Sequence, residues 1–345
     1  MAKVSLGTIR RGRFRKEKVA IKIFNGGSSS PGPTFTDSLK KMLAESSPVW
    51  CRVSHPNLVP FYGVAFGLAY MPGLVYPFYA NGNILSYLAQ RYPGEANLED
   101  SERLTTILTL MYEVAKGLEY LHAYTPTIIH GDVRGASVFI NDDGHAMLSD
   151  YGLRLSMPAE LPDHVYARPV GAARWMAPEI MSTKAPEEVF GPPAGFTKQT
   201  DIYAYAMTIL EVYTGRPPFG QLVTDEEGTH PLVRIDDGAV KIILEGGRPP
   251  LSGFLQSSDT LRGLVERAWD TLPENRPDAA EIVSILESMI PKAPEEAPAV
   301  AVEPEATPRG SSKIQAAFKQ LFVYPWTLVR TSLKSGYDSL RGSLR

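Results

Sequence analysis

The sequence predicts an α+β fold in which a small strand-rich region precedes a larger helical one. Three observations carry this. Val19-Ala20-Ile21-Lys22-Ile23-Phe24 is a β-branched, apolar run of strand length. From Leu104 to His122, apolar residues (Leu104, Ile107, Leu108, Met111, Val114, Ala115, Leu118, Leu121) recur at helical spacing along one face. Between the long helices, Val138 to Ile140 and Ala146 to Leu148 flank the turn Asn141-Asp142-Asp143-Gly144, a β-hairpin pattern. With 345 residues, 43% of them hydrophobic, the chain has material for one two-lobed domain or two small domains.

Taken in order, the N-terminus is basic (Arg10, Arg11, Arg13, Arg15, Lys16, Lys18) and lacks the apolar stretch of a signal peptide. After the strand at Val19, Asn25 to Pro33 is a breaker-rich loop, and Phe35 to Glu45 reads as a helix with Thr36 or Asp37 as its N-cap. Leu58 to Ala69 and Gly73 to Tyr76 read as two further strands. Beyond the hairpin, Asp201 to Tyr213 has few charges and is expected to be a buried helix with Asp201 at its start. Leu261 to Trp269 and Pro277 to Ile290 are expected to be closing helices, whereas Thr183 to Gly195 and Gln221 to Asp237 read as loop insertions. Residues 291–312 have the Pro, Ala and Glu content of a disordered linker.

Composition limits the function classes. A net charge of -3 gives no general argument for nucleic-acid binding, and the single cysteine, Cys51, points to a reducing intracellular compartment. No apolar run is long enough to span a bilayer. The tail 313–345 differs from the rest: from Arg309 onward seven basic residues face the single acid Asp338, interleaved with Phe318, Phe322, Tyr324 and Trp326. That pattern suits docking on an anionic membrane surface or in a partner's groove, and equally a tail packed against its own domain.

The hairpin leaves Asp132 just before it and Asp150 just after it, so one cleft can receive both carboxylates. Either motif alone could be a turn, but the order and spacing of His130-Gly131-Asp132, Ser137 and Asp150-Tyr151-Gly152 resemble the His-Arg-Asp, Asn and Asp-Phe-Gly series of eukaryotic protein kinases. Val19-Ala20-Ile21-Lys22, Ala177-Pro178-Glu179 and Arg174-Trp175-Met176 extend the resemblance over roughly residues 4–290, toward the tyrosine-kinase-like group of the fungal type.

The resemblance implies a bilobal fold, with an N-lobe and hinge over residues 1–79 and a helical C-lobe over 80–290. It implies ATP and Mg²⁺ as cofactors and a protein substrate or signalling partner. Lys22 would bind the α and β phosphates, with Ala20, the Tyr79 backbone and Phe139 around the adenine. Asp132 would take the substrate proton, Arg134 would steady the γ-phosphate, and Asp150 would hold Mg²⁺. His130, Tyr151, Gly152 and Asp201 would support the loop, Tyr76 would gate the back pocket, and Glu179 would pair with Arg276.

Departures from the pattern are as informative. The glycine-rich loop and first strand are expected to be missing. Ser137 replaces the metal-binding Asn and would be a weaker ligand. Gly131 replaces an arginine and Ala172 a threonine. Glu45 falls one residue, about 100° of helix, from the slot of the glutamate that pairs with the strand lysine, and Pro48 follows. Two functions therefore stand open: a protein kinase of serine/threonine type, or a pseudokinase acting as a nucleotide-binding or scaffolding module.

Overall fold

The computed structural model describes residues 2–4, 7–14, 17–24, 33–66, 72–93, 100–156, 172–181, 195–220 and 231–291. The tail 313–345, the linker beyond residue 291 and most of the loop insertions lie outside that set.

The N-terminal lobe is an antiparallel sheet of five strands in the order β1-β2-β3-β5-β4, with β1 Ala2–Val4, β2 Gly7–Phe14, β3 Glu17–Phe24, β4 Gly63–Ala65 and β5 Gly73–Pro77. The first strand, expected to be absent, is therefore present in short form. Three backbone pairs with β2 are enough to cover an edge that would otherwise be open. Of the strand expected over Leu58 to Ala69, residues 67–69 lie outside the described set and the described part forms a strand only at β4; upstream of it Leu58 bridges to Leu148 in the other lobe instead.

The two-residue period of β3 decides the geometry of the cleft. Val19, Ile21 and Ile23 are buried on one face, so Ala20 and Lys22 point to the other. Register then pairs Ala20 with Tyr76 and Lys22 with Leu74, which puts Tyr76 on the same face as Lys22. Gly73 is required where the strands cross closely, because a Cβ there would sit 2.6 Å from Ile21 Cγ2.

Helix α1, Pro33–Trp50, packs on the sheet through Leu39, Met42 and Leu43. It starts earlier and ends later than its pattern suggested, so Thr36 and Asp37 lie inside it rather than at its cap. It also runs through Pro48, which removes one backbone hydrogen bond, and beyond it Trp50 packs against the Phe61 ring, centroids 5.4 Å apart.

The larger lobe contains α2 Ile84–Arg91, α3 Ser101–Ala123, hairpin strands β6 Val138–Ile140 and β7 Ala146–Leu148, and the one-turn helices α4 Leu153–Ser156 and α5 Pro178–Met181. It is completed by α6 Lys198–Thr214, α7 Pro231–Leu244, α8 Phe254–Ser257, α9 Asp259–Ala268 and α10 Ala279–Met289. Part of the insertion expected as loop, Gln221 to Asp237, is thus the start of α7, opened by a proline at its first position.

Helix α6 is the centre of this lobe. Every residue from Thr200 to Tyr213 is buried, consistent with its near-continuous apolar sequence. Its N-cap is Thr197, whose hydroxyl accepts from Thr200 N, which displaces Asp201 from the cap into the first turn. Helix α3 is capped by Asp100, and its Glu113 reaches the hairpin, accepting from Ala146 N and His145 Nδ1 at 2.6 Å each.

Candidate functional site

The cleft between the lobes has a cavity volume of about 180 Å³ and is lined by Ala20, Lys22, Val59, Tyr76 to Tyr79, Asp132, Arg134, Ser137, Phe139 and Asp150 among others. One end is apolar and the other charged, the division expected of a small-molecule site.

Asp201 organises the loop that carries Asp132. It is 1% exposed, and its carboxylate accepts from His130 N at 2.7 Å, from Gly131 N at 2.8 Å and from His122 Nε2 at 2.9 Å. Three donors converging on one buried anion satisfy it and fix the loop's path. Gly131 is needed in that path because φ is 77° there, and the space a side chain would fill is taken by Leu155.

His130 then ties the loop to the strand before Asp150. Its Nε2 donates to Ser149 O at 2.8 Å and its Nδ1 accepts from Asp132 N at 3.1 Å, so the ring is neutral with its proton on Nε2. Burial, the largest effect, holds its pKa below the ordinary value even though Asp201, Asp132 and Asp150 pull the other way.

Asp132 itself is nearly enclosed. Burial pushes its pKa up, but Arg134, with NH2 3.2 Å from Oδ2, and Arg154, 3.9 Å from Oδ1, outweigh that and leave it below the usual carboxylate value. The group is therefore ionised at neutral pH.

Across the cleft, Lys22 Nζ donates to Asp150 Oδ2 at 2.8 Å, joining residues 128 positions apart. Tyr76 Oη donates to Asp150 Oδ1 at 3.1 Å. Asp150 takes a left-handed φ of 63°, unusual for a residue with a side chain, and the next turn is set by Gly152 with φ 70° and an N–H to His130 O bond. Tyr151 is buried, its hydroxyl on Val59 O at 3.2 Å.

Glu45 is exposed and makes no ion pair with Lys22, whose partner is Asp150. The extra residue of helical rotation anticipated for Glu45 carries it outward. Ser137 Oγ lies 2.8 Å from both Asp132 O and Arg134 O, sharing its single hydrogen between them, and accepts from Arg134 N at 3.1 Å, so the hydroxyl is tied to its own loop.

Further out, Arg276 forms a two-pronged pair with Glu179 at 2.6 and 2.9 Å, donates to Asp270 O and Gln199 O, and stacks 5.2 Å from the Tyr203 ring. Ala172 is buried in a crevice shared with Asp132, Arg154 and Asp201.

The structure also brings in residues that the sequence reading missed. Glu211, a lone acid in the apolar run of α6, accepts from Gly135 N at 2.7 Å and from Trp175 Nε1 at 3.0 Å; burial pushes it up to about 7. An isolated carboxylate in an otherwise buried helix was the available signal. His122 and Arg154 carried no comparable signal.

A profile of the family described as protein tyrosine and serine/threonine kinase matches residues 1–286. The chain belongs to this kinase family. Among curated relatives, it is 28% identical over 286 residues to the serine/threonine-protein kinase TNNI3K of Rattus norvegicus, covering 83% of this chain and 30% of that protein. It is 26% identical over 288 residues to the probable serine/threonine-protein kinase drkD of Dictyostelium discoideum (82% and 19%). It is also 26% identical over 283 residues to the serine/threonine/tyrosine-protein kinase HT1 of Arabidopsis thaliana (81% and 62%). The matched region spans under a third of the first of these relatives. The kinase domain thus has its small antiparallel-sheet lobe and helical lobe, and the resemblance to the tyrosine-kinase-like group is consistent with these relatives. Among the described residues no helix is long and apolar enough to cross a membrane.

Proposed function

We propose that this kinase domain transfers the γ-phosphate of ATP to serine or threonine hydroxyls of a protein substrate, with Mg²⁺ as cofactor. One observation carries the reading: an ionised Asp132 opens onto the same cleft as the Lys22 and Asp150 pair, so a proton acceptor and a set of phosphate-end charges share one space. The residues fit the cofactor. Ala20, Val59 and Phe139 offer apolar surface for a planar base, the Tyr79 backbone lies at the edge, and Lys22 and Asp150 offer a cation and a metal-binding anion. Bound ATP and Mg²⁺ supply the transferable phosphoryl group and neutralise its charge.

In this reading Lys22 steadies the α and β phosphates, Arg134 the γ-phosphate, and Asp132 accepts the proton of the incoming hydroxyl. Such a site works by positioning and electrostatics, with no covalent intermediate on the protein. The serine/threonine preference is supported by the names of the relatives.

A second reading, a pseudokinase serving as a nucleotide-binding or scaffolding module, is favoured by the Ser137 hydroxyl, which is bound to its own loop, and by the outward Glu45. Transfer from radiolabelled ATP to a generic protein substrate separates the two. Wild type is expected to exceed Asp132→Asn by at least about 100-fold, the usual scale for losing a general base. Equal transfer by both would remove the enzyme reading, and a thermal shift with ATP would then distinguish a nucleotide-binding scaffold from an empty one.

The basic, aromatic tail 313–345 supports cytoplasmic action at an anionic membrane surface. Co-sedimentation with phosphatidylserine vesicles that is lost on deleting the residues after Gly310 is the expected result; no sedimentation of the intact chain overturns it.

A further inference from the structure

Both oxygens of the Asp150 carboxylate are already engaged, and the donors come from neighbouring strands of the small lobe. Oδ2 accepts from Lys22 Nζ at 2.8 Å, with Ser149 Oγ at 3.4 Å, and Oδ1 accepts from Tyr76 Oη at 3.1 Å. The strand register that sets Tyr76 opposite Ala20 places its ring on the cleft face beside Lys22. The ring is itself braced. Phe61 meets it with centroids 5.6 Å apart, and Phe61 in turn meets Trp50 at the end of α1.

A divalent cation bound at Asp150 needs a carboxylate oxygen as ligand, and a cation on the Oδ1 lone pair that the Tyr76 hydroxyl now occupies requires that hydrogen bond to break. We propose that the Tyr76 hydroxyl and a divalent cation compete for Oδ1 of Asp150, which makes Tyr76 the positioning residue that sets how much cation the nucleotide site requires. Tyr76 holds Asp150 in the absence of a lysine–glutamate pair, at the cost of a weaker cation site. The inference rests on the proposed nucleotide-binding role of the cleft.

Two measurements on the full chain test it. The first is a double-mutant cycle of Tyr76→Phe and Asp150→Ala, followed by chemical denaturation in EDTA without nucleotide. The two changes together are expected to alter the folding equilibrium at least fivefold less than the product of the single effects; a simple product overturns the contact. The second is a MgCl₂ titration at saturating ATP, read by thermal shift. Tyr76→Phe is expected to reach half its maximal shift at a Mg²⁺ concentration at least threefold lower than wild type. A response to ATP and Mg²⁺ with an equal or higher midpoint in Tyr76→Phe overturns this proposal alone. No response to either ligand in wild type overturns it together with the nucleotide-binding reading.

Discussion

The two sides of the cleft are held by different means. Beneath the catalytic loop, the large lobe uses buried charges with complete sets of partners: Asp201 with three donors, Glu211 with two, and Arg276 with Glu179 and two carbonyls. On the small-lobe side the same task falls to two contacts on one carboxylate, from Lys22 and Tyr76, while Glu45 faces solvent. The contrast teaches that the support of the loop and the hold on the Asp150 carboxylate are separable. The loop's backbone is fixed by groups that need no ligand, and it keeps that support although Gly131 within it departs from the family pattern.

The sharpest way to break this comparison is to remove the hub. Asp201→Ala strips the acceptor from two buried backbone N–H groups and from His122, and each unsatisfied group costs about 1–3 kcal/mol. A loss of roughly 3–5 kcal/mol in chemical denaturation is expected, together with loss of any transfer activity. A loss below about 1 kcal/mol would mean that the loop is held elsewhere.

Glu211 gives the next effect, and its sign is unusual. Its folded pKa is raised from 4.5 to about 7, so the stability it contributes is present below about pH 4.5 and is lost as pH rises through 7. Both of its donors reach the same oxygen, Oε2, which an amide oxygen can replace. Glu211→Gln is therefore expected to be more stable than wild type at pH 8 by on the order of 2 kcal/mol, and equal to it near pH 4.5. Denaturation curves at the two pH values check this; a variant weaker than wild type at both would show that the carboxylate charge itself is required.

On the other side of the cleft, Lys22→Met should cost only about 1 kcal/mol, because the Asp150 carboxylate keeps Tyr76 and borders the open cleft. The same variant is expected to lose the thermal shift produced by ATP. Loss of stability on the scale of Asp201→Ala would dissolve the distinction between the two sides.

How much of this was legible beforehand follows from what each residue needs. Lys22, Asp132 and Asp150 could be located because their strand, loop and hairpin contexts are local patterns, and the apolar run of α6 announced its burial. The C-terminal extent of α1 was not legible, since there Trp50 packs on Phe61 from a different segment, a tertiary contact that local propensity and Pro48 do not record. Nor was the short first strand, whose pairing rests on backbone atoms with little side-chain signature. The role of Tyr76 depends on cross-strand register with Ala20, a distance no single segment records. Ser137 was read by residue type alone, and only coordinates show its one hydrogen already committed to the loop.

The smallest expected effect is the most discriminating for the small lobe. Glu45 is exposed on α1 and pairs with nothing in the cleft, so Glu45→Ala should change stability by no more than about 0.5 kcal/mol. If the Lys22, Asp150 and Tyr76 arrangement is also the one that meets nucleotide, the ATP-induced thermal shift will be the same in Glu45→Ala as in wild type. Should the variant instead lose that shift while keeping its stability, α1 must turn inward when the cleft fills, with Glu45 taking Lys22 from Asp150. The small lobe would then have two arrangements of one lysine, and the hydroxyl of Tyr76 would be what retains Asp150 after Lys22 has left it.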